Sequence, residues 1–80
     1  MQLEILLFGI VSDVIGQRSL KMNVPVAITI EDLRSQLSEK YPKLANYKSF
    51  SVAVNMEYVD DTYELKNTDT IALIPPVSGG

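Results

Sequence analysis

The residues with the most pointed chemistry stand together at one end of the sequence. Of the four glycines and four prolines in the 80-residue chain, two of each fall in Pro75-Pro76-Val77-Ser78-Gly79-Gly80. Prolines donate nothing to a sheet ladder and favour a stiff, extended backbone, so Pro75 and Pro76 end the strand before them and project the last residues away from the domain. Six residues at full extension reach about 20 Å. Val77 can anchor, Ser78 is small, and Gly79-Gly80 has the cross-section of bare backbone, narrow enough to thread a tunnel. The reactive group of such a tail is the α-carboxylate of Gly80. A carboxylate resists acyl substitution because its oxygen is a poor leaving group, but ATP can convert it to an acyl adenylate that a nucleophile then attacks. The product is a thiocarboxylate, an ester or an amide. A terminal Gly-Gly is also compatible with a frayed end; the Pro-Pro lever rising from a strand sets this one apart.

The remaining composition indicates that any catalyst belongs to a partner. The chain has no Cys and no His, which removes disulfides, thiolate and zinc-thiolate chemistry and the side chain that most readily shuttles protons near neutral pH. Asp60-Asp61 supplies too few oxygens for a metal, and the isolated Gly9 and Gly16 make no phosphate-cradling loop, so neither a metal nor a resident cofactor is expected. Seven Lys+Arg against ten Asp+Glu give a net charge of -3. With Arg18 and Arg34 as the guanidinium groups, there is no basic stripe for nucleic acid or an anionic membrane. The apolar stretch Leu3 to Val11 is too short to span a bilayer and lacks a basic leader, so the expected compartment is the cytoplasm. Tyr41, Tyr47, Tyr58 and Tyr63 read as core edges and loop packing. Glu57, Asp60, Asp61, Glu64 and Asp69 read either as a surface that steers a basic partner or as a solvated turn region.

The tail needs a scaffold, and one small domain is what the length allows. Gln2 to Phe8 alternates Leu3, Ile5 and Leu7 against Glu4, Leu6 and Phe8, a strand. The segment IVSDVI between Gly9 and Gly16 has room for one helical turn, and Ser19 to Val24 alternates as a second strand, hairpinned to the first. Thr29 with Asp32 forms a capping-box-like pair, Glu31 and Asp32 suit a helix N-terminus, and Ile28 can staple onto Leu33. Ile30, Leu33, Leu37 and Tyr41 then make one apolar stripe, and Pro42 ends a helix of about three turns. After a polar connection, Lys43 to Ser49, come a strand over Phe50 to Asn55, a reversal at Met56-Glu57 and a short strand at Tyr58-Val59. A turn-rich stretch, Asp60 to Asp69, leads to the last strand, Thr70 to Ile74.

One main helix can roof only one face of a sheet, so the expected fold is α+β with two layers. Residues 1–74 form the domain and 75–80 the tail. If Leu3, Ile5, Leu7, Ile71 and Leu73 face the helix, then Leu6, Phe8, Ala72 and Ile74 share the opposite, unroofed face. Four apolar side chains there are either a partner-binding patch at the root of the tail, with Phe8 and Ile74 as anchors, or are covered by Gly9 to Gln17 or by Pro42 to Ser49.

LLFG near the start, VNMEYV at Val54 to Val59, and above all DTIALIPPVSGG at Asp69 to Gly80 resemble the small, sulfur-carrying subunit of molybdopterin synthase over the full length. The resemblance implies a ubiquitin-like β-grasp fold with a mixed sheet. It also implies that Gly80 is adenylated by a ubiquitin-activating-enzyme-like adenylyltransferase and converted to a thiocarboxylate, with a sulfurtransferase as the sulfur source. Pro75, Pro76, Val77, Ser78 and Gly79 would insert the loaded terminus into the synthase large subunit. Sulfur then passes to cyclic pyranopterin monophosphate to build the molybdopterin dithiolene, in a heterotetramer of two small and two large subunits. The donor subunit is itself non-catalytic. Ile74 stands where many relatives carry an aromatic. The turn Lys66-Asn67-Thr68-Asp69 lacks their glycine, which would put any positive φ on Asn67. Alternative functions are a sulfur carrier of another pathway such as thiazole synthesis, a protein modifier joined through Gly80 to lysines, or a binding module with an incidental tail.

Overall fold

The structure, a computed structural model, describes residues 1–47 and 50–75. Within them the chain runs β1 (Gln2–Leu7), α1 (Gly9–Ile15), β2 (Ser19–Asn23), α2 (Ile30–Lys40), a 3-10 helix (Pro42–Tyr47), β3 (Ser51–Val54), β4 (Glu57–Tyr58) and β5 (Ile71–Ile74). The strands make one sheet in the order β2-β1-β5-β3-β4. β1 pairs with β5 in parallel, while β1 with β2 and β3 with β5 are antiparallel, so the sheet is mixed. The first and last strands are neighbours at its centre.

Alternation decides which face is dry. Leu3, Ile5, Leu7, Leu20, Met22, Val52, Val54, Ile71 and Leu73 are buried and join Ile30, Leu33 and Leu37 of α2 in one core. Removing one such side chain from water is worth about 1.5–3 kcal/mol, which is what holds α2 on the sheet. The helix starts as its cap requires: the Asp32 backbone N–H donates to Thr29 Oγ1 at 3.2 Å, with Glu31 and Asp32 in the first turn. It stops at Tyr41, where the following proline disfavours helical geometry.

An α+β domain roofed on one face by one main helix is thus what forms, with two additions. IVSDVI is part of a seven-residue helix, α1, rather than one turn; Val11 is fully buried, and Gly16 closes the helix at φ 82°. The connection after Pro42 winds into the 3-10 helix and buries Leu44. A lone leucine among polar residues has no period to announce it.

Local geometry corrects three details. The reversal between β3 and β4 falls on Asn55 and Met56, at φ 52° and 71°, instead of Met56-Glu57. Paired positive φ is the twist-matched hairpin turn, and asparagine tolerates it better than glutamate. Asn67 is not among the positive-φ residues; the turn closes by Asp69 N–H donating to Lys66 O at 3.0 Å and Lys66 N–H to Asp69 Oδ2 at 2.9 Å. Finally, β1, β2 and β5 are each one residue shorter than their alternation suggests, ending at Leu7 and Asn23 and starting at Ile71.

Candidate functional site

β5 is the element that would carry a tail, and its two ends are held differently. Ile71 and Leu73 are fully buried between β1 and β3. At its start, Asn55 N–H donates to Thr70 O at 2.8 Å and Thr70 N–H to Asn55 Oδ1 at 3.0 Å. Asn55 Nδ2 donates to Asp69 Oδ1 at 2.9 Å, and Tyr63 Oη to Asp69 Oδ2 at 3.3 Å. Partial burial, then the Asp69 carboxylate, pushes the Tyr63 hydroxyl above the ordinary phenol range. At its far end the strand stops at Ile74, and Pro75 rests against Gly9, which sits at φ 56°. Of the expected tail residues the structure places Pro75; Pro76, Val77, Ser78, Gly79 and Gly80 lie outside the described residues.

The four expected patch residues do come together. Leu6 and Ala72 are register partners, Ile74 lies two residues further along β5, and Phe8 follows the end of β1 in extended backbone as the N-cap of α1. Phe8 is 49% exposed, and Leu6, Ala72 and Ile74 are partly exposed. Of the segments offered as covers, Val11 of α1 and Leu44 of the 3-10 helix point into the core, while Ser12 and Asp13 of α1 stand beside Leu6 and Phe8 without burying Phe8. A hollow of about 410 Å³ adjoins Phe8, with Ser12, Asp13 and Arg18 at its margin. An apolar centre with a polar rim is the usual anatomy of a protein interface.

Register also extends the row of outward-facing positions beyond those four residues, through Ala53, which is itself buried. Ser19, Leu6, Ala72, Ala53 and Tyr58 are successive cross-strand partners, one row over all five strands. Tyr58 is 69% exposed and Met56 98%. Tyr58 is therefore no core edge, since it pairs with Ala53 on the face away from α2. Tyr41 and Tyr63 do pack against the core, and the side chain of Tyr47 lies outside the described residues. The sequence held a signal for this: Val52 and Val54 face α2, so Ala53 and whatever pairs with it lie on the opposite face of the sheet.

The carboxylates, by contrast, are dispersed among structural duties. Asp61 pairs with Arg34 Nε at 3.1 Å, and Arg34 also donates to Phe50 O at 2.8 Å and lies 4.7 Å over the Phe50 ring. Asp60 accepts from the Thr62 hydroxyl and backbone N–H, which hold its carboxyl below the usual range. With Asp69 in the turn network, a steering surface reduces to Glu57 and Glu64. Among the described residues no three acidic groups converge as for a metal, and no helix is long and apolar enough to cross a membrane.

Residues 5–80 match the ThiS family. The chain belongs to that family. A relative from Dictyostelium discoideum, "Molybdopterin synthase sulfur carrier subunit", is 40% identical over 83 residues, covering 99% of this chain and 96% of its own. Small archaeal modifier protein 1 (SAMP1) from Haloferax volcanii is 28% identical with a TM-score of 0.85, covering all of both chains. A protein-protein complex of subunits 1 and 2 of molybdopterin-converting factor from Helicobacter pylori contains a chain 28% identical, with a TM-score of 0.70 and full coverage of both. The fold is the ubiquitin-like β-grasp, and the resemblance read from LLFG, VNMEYV and DTIALIPPVSGG is borne out.

Proposed function

We propose that the chain is the sulfur-carrier subunit of molybdopterin synthase and that its reactive group is the α-carboxylate of Gly80. The single observation that carries this reading is that the family match runs through residue 80, so it includes the glycine tail as well as the domain. The carboxylate attacks the α-phosphorus of ATP and pyrophosphate leaves; sulfur at the hydrosulfide level, delivered by a sulfurtransferase, then displaces AMP to give the thiocarboxylate. In the large subunit the thiocarboxylate sulfur attacks cyclic pyranopterin monophosphate, and water cleaves the acyl–sulfur bond to return Gly80 to its carboxylate. A dithiolene has two sulfurs, so each product consumes two loaded carriers. Because adenylation consumes ATP, we place the reaction in the cytoplasm.

The adenylyltransferase and the large subunit supply the catalysis, and this chain supplies a rigid base and an arm. Leu6, Phe8, Ala72 and Ile74 dock on the large subunit, and Pro75, Pro76, Val77, Ser78 and Gly79 carry Gly80 into its active site. The subunit 1 and 2 complex from Helicobacter pylori supports a large-subunit partner; two small and two large subunits per assembly is the arrangement we favour. Neither nucleic acid nor a membrane takes part.

A second reading has its own support, because SAMP1 is similar over its whole length. In that reading Gly80 ends in an isopeptide bond to a lysine of another protein. Reconstitution separates the two. Loaded carrier with the large subunit and cyclic pyranopterin monophosphate should yield dithiolene in proportion to carrier consumed, and unloaded carrier none. A ladder of larger conjugates with no dithiolene would replace the first reading by the second.

A further inference from the structure

We propose that Gly9 is a positioning residue for this chemistry: its bare Cα is the seat on which the Pro75 ring lies, and that seat sets the direction in which the chain continues beyond β5. The inference rests on the sulfur-carrier reading and brings into it a residue from the opposite end of the sequence. A Cβ added at Gly9 would stand 2.7 Å from Pro75 Cγ, 3.6 Å from Cδ and 3.9 Å from Cβ. Three ring atoms thus face the position, and the nearest is closer than carbon atoms approach. The Cγ approach is the one that must give, and a proline ring yields there only by repuckering, while Cδ and Cβ stand at ordinary contact distance and keep the ring against Gly9. Glycine therefore meets two demands at once, the turn from β1 into α1 at φ 56° and the close approach of another segment.

The other partner is equally constrained. Pro75 has a fixed φ, and Ile74 and Pro75 each precede a proline, which holds both to the extended region. Few torsions remain to absorb a displaced ring, so the exit from β5 at Pro75 shifts with it. A reacting group aimed into another protein's site loses rate through small misplacements even when docking is intact. Gly16, at the other end of α1, provides an internal control. It has φ 82° but nothing within 4 Å of a Cβ, so it makes the same backbone demand without the contact.

The test uses the full chain, the activating adenylyltransferase and ATP, with pyrophosphate release giving kcat and KM for the carrier. Gly9→Ala should lower kcat by about fivefold or more while KM moves less than about twofold, because the substitution changes where the arm points and leaves the exposed side chains of the domain in place. Gly16→Ala should lose stability yet keep both constants. Pro75→Ala, which lacks Cγ and Cδ, should slow kcat by itself, and adding Gly9→Ala to it should slow it no further. Wild-type kcat in either Gly9→Ala or Pro75→Ala overturns the inference, as does an equal loss from Gly9→Ala in both backgrounds. Should Gly9→Ala fail to fold, Pro75→Ala removes the contact from the other side and still decides. If wild-type carrier releases no pyrophosphate at all, the sulfur-carrier reading itself falls; loaded wild type with an equally fast Gly9→Ala sinks only the role of Gly9.

Discussion

The two ends of β5 are built on opposite principles. Its start is tied by polar bonds: Asp69 accepts from Asn55, Tyr63 and Lys66, and Asn55 and Thr70 exchange bonds with each other. Its end has none of this. Among the described residues no side-chain hydrogen bond reaches Ile74 or Pro75, and what meets Pro75 is the surface of Gly9. Hydrogen bonds fix a turn against rotation in every direction, while a packed ring constrains direction and leaves no polar group to compete for the arm. An anchored start with a bare exit suits a strand whose last residues must be handed to another protein.

Four perturbations grade that contrast. The largest effect belongs to the strand itself: Leu73→Ala should cost about 2–5 kcal/mol in denaturant titration, because its side chain is fully enclosed. A cost near zero would mean the two faces had been exchanged. Next, Asp69→Ala leaves the Asn55 and Tyr63 groups without their acceptor and should cost about 1–3 kcal/mol, while leaving kcat for adenylation unchanged in the folded fraction. Ile74→Asp or Phe8→Asp should instead weaken large-subunit binding by roughly tenfold or more, measured calorimetrically, with a stability loss below roughly 3 kcal/mol. A larger loss would place those side chains in the core. The smallest effect concerns pH. The Tyr63 proton is held more tightly folded than unfolded, so its contribution is complete below its ordinary value of about 10 and is lost as pH rises through the raised folded value. Tyr63→Phe should flatten the alkaline decline of the denaturation midpoint; an unchanged decline would remove Tyr63 from the anchor.

Much of this was legible in the sequence. The cap at Thr29, the stripe of Ile30, Leu33 and Leu37, and the alternation in β1 and β5 specify both layers, because each is a repeated local signal tied to burial. Leu6, Phe8, Ala72 and Ile74 emerged from the same alternation. What escaped depended on partners distant in the chain. Leu44 is one apolar residue without a period, and Tyr58 needed the register with Ala53. Gly9 looked like punctuation, since nothing local says that Pro75 will arrive beside it. The hairpin slipped by one residue because Asn55-Met56 has no glycine, although its positive φ values are those a primed turn demands.

The most direct measurement is the intact mass of the chain after incubation with ATP, its activating enzyme and a sulfur donor, taken side by side with a variant extended by one residue after Gly80. The wild type should gain the difference between one sulfur and one oxygen, and the extended variant, with the same melting temperature, should gain nothing. Equal sulfur gain in both chains, or none in the wild type, would contradict the account.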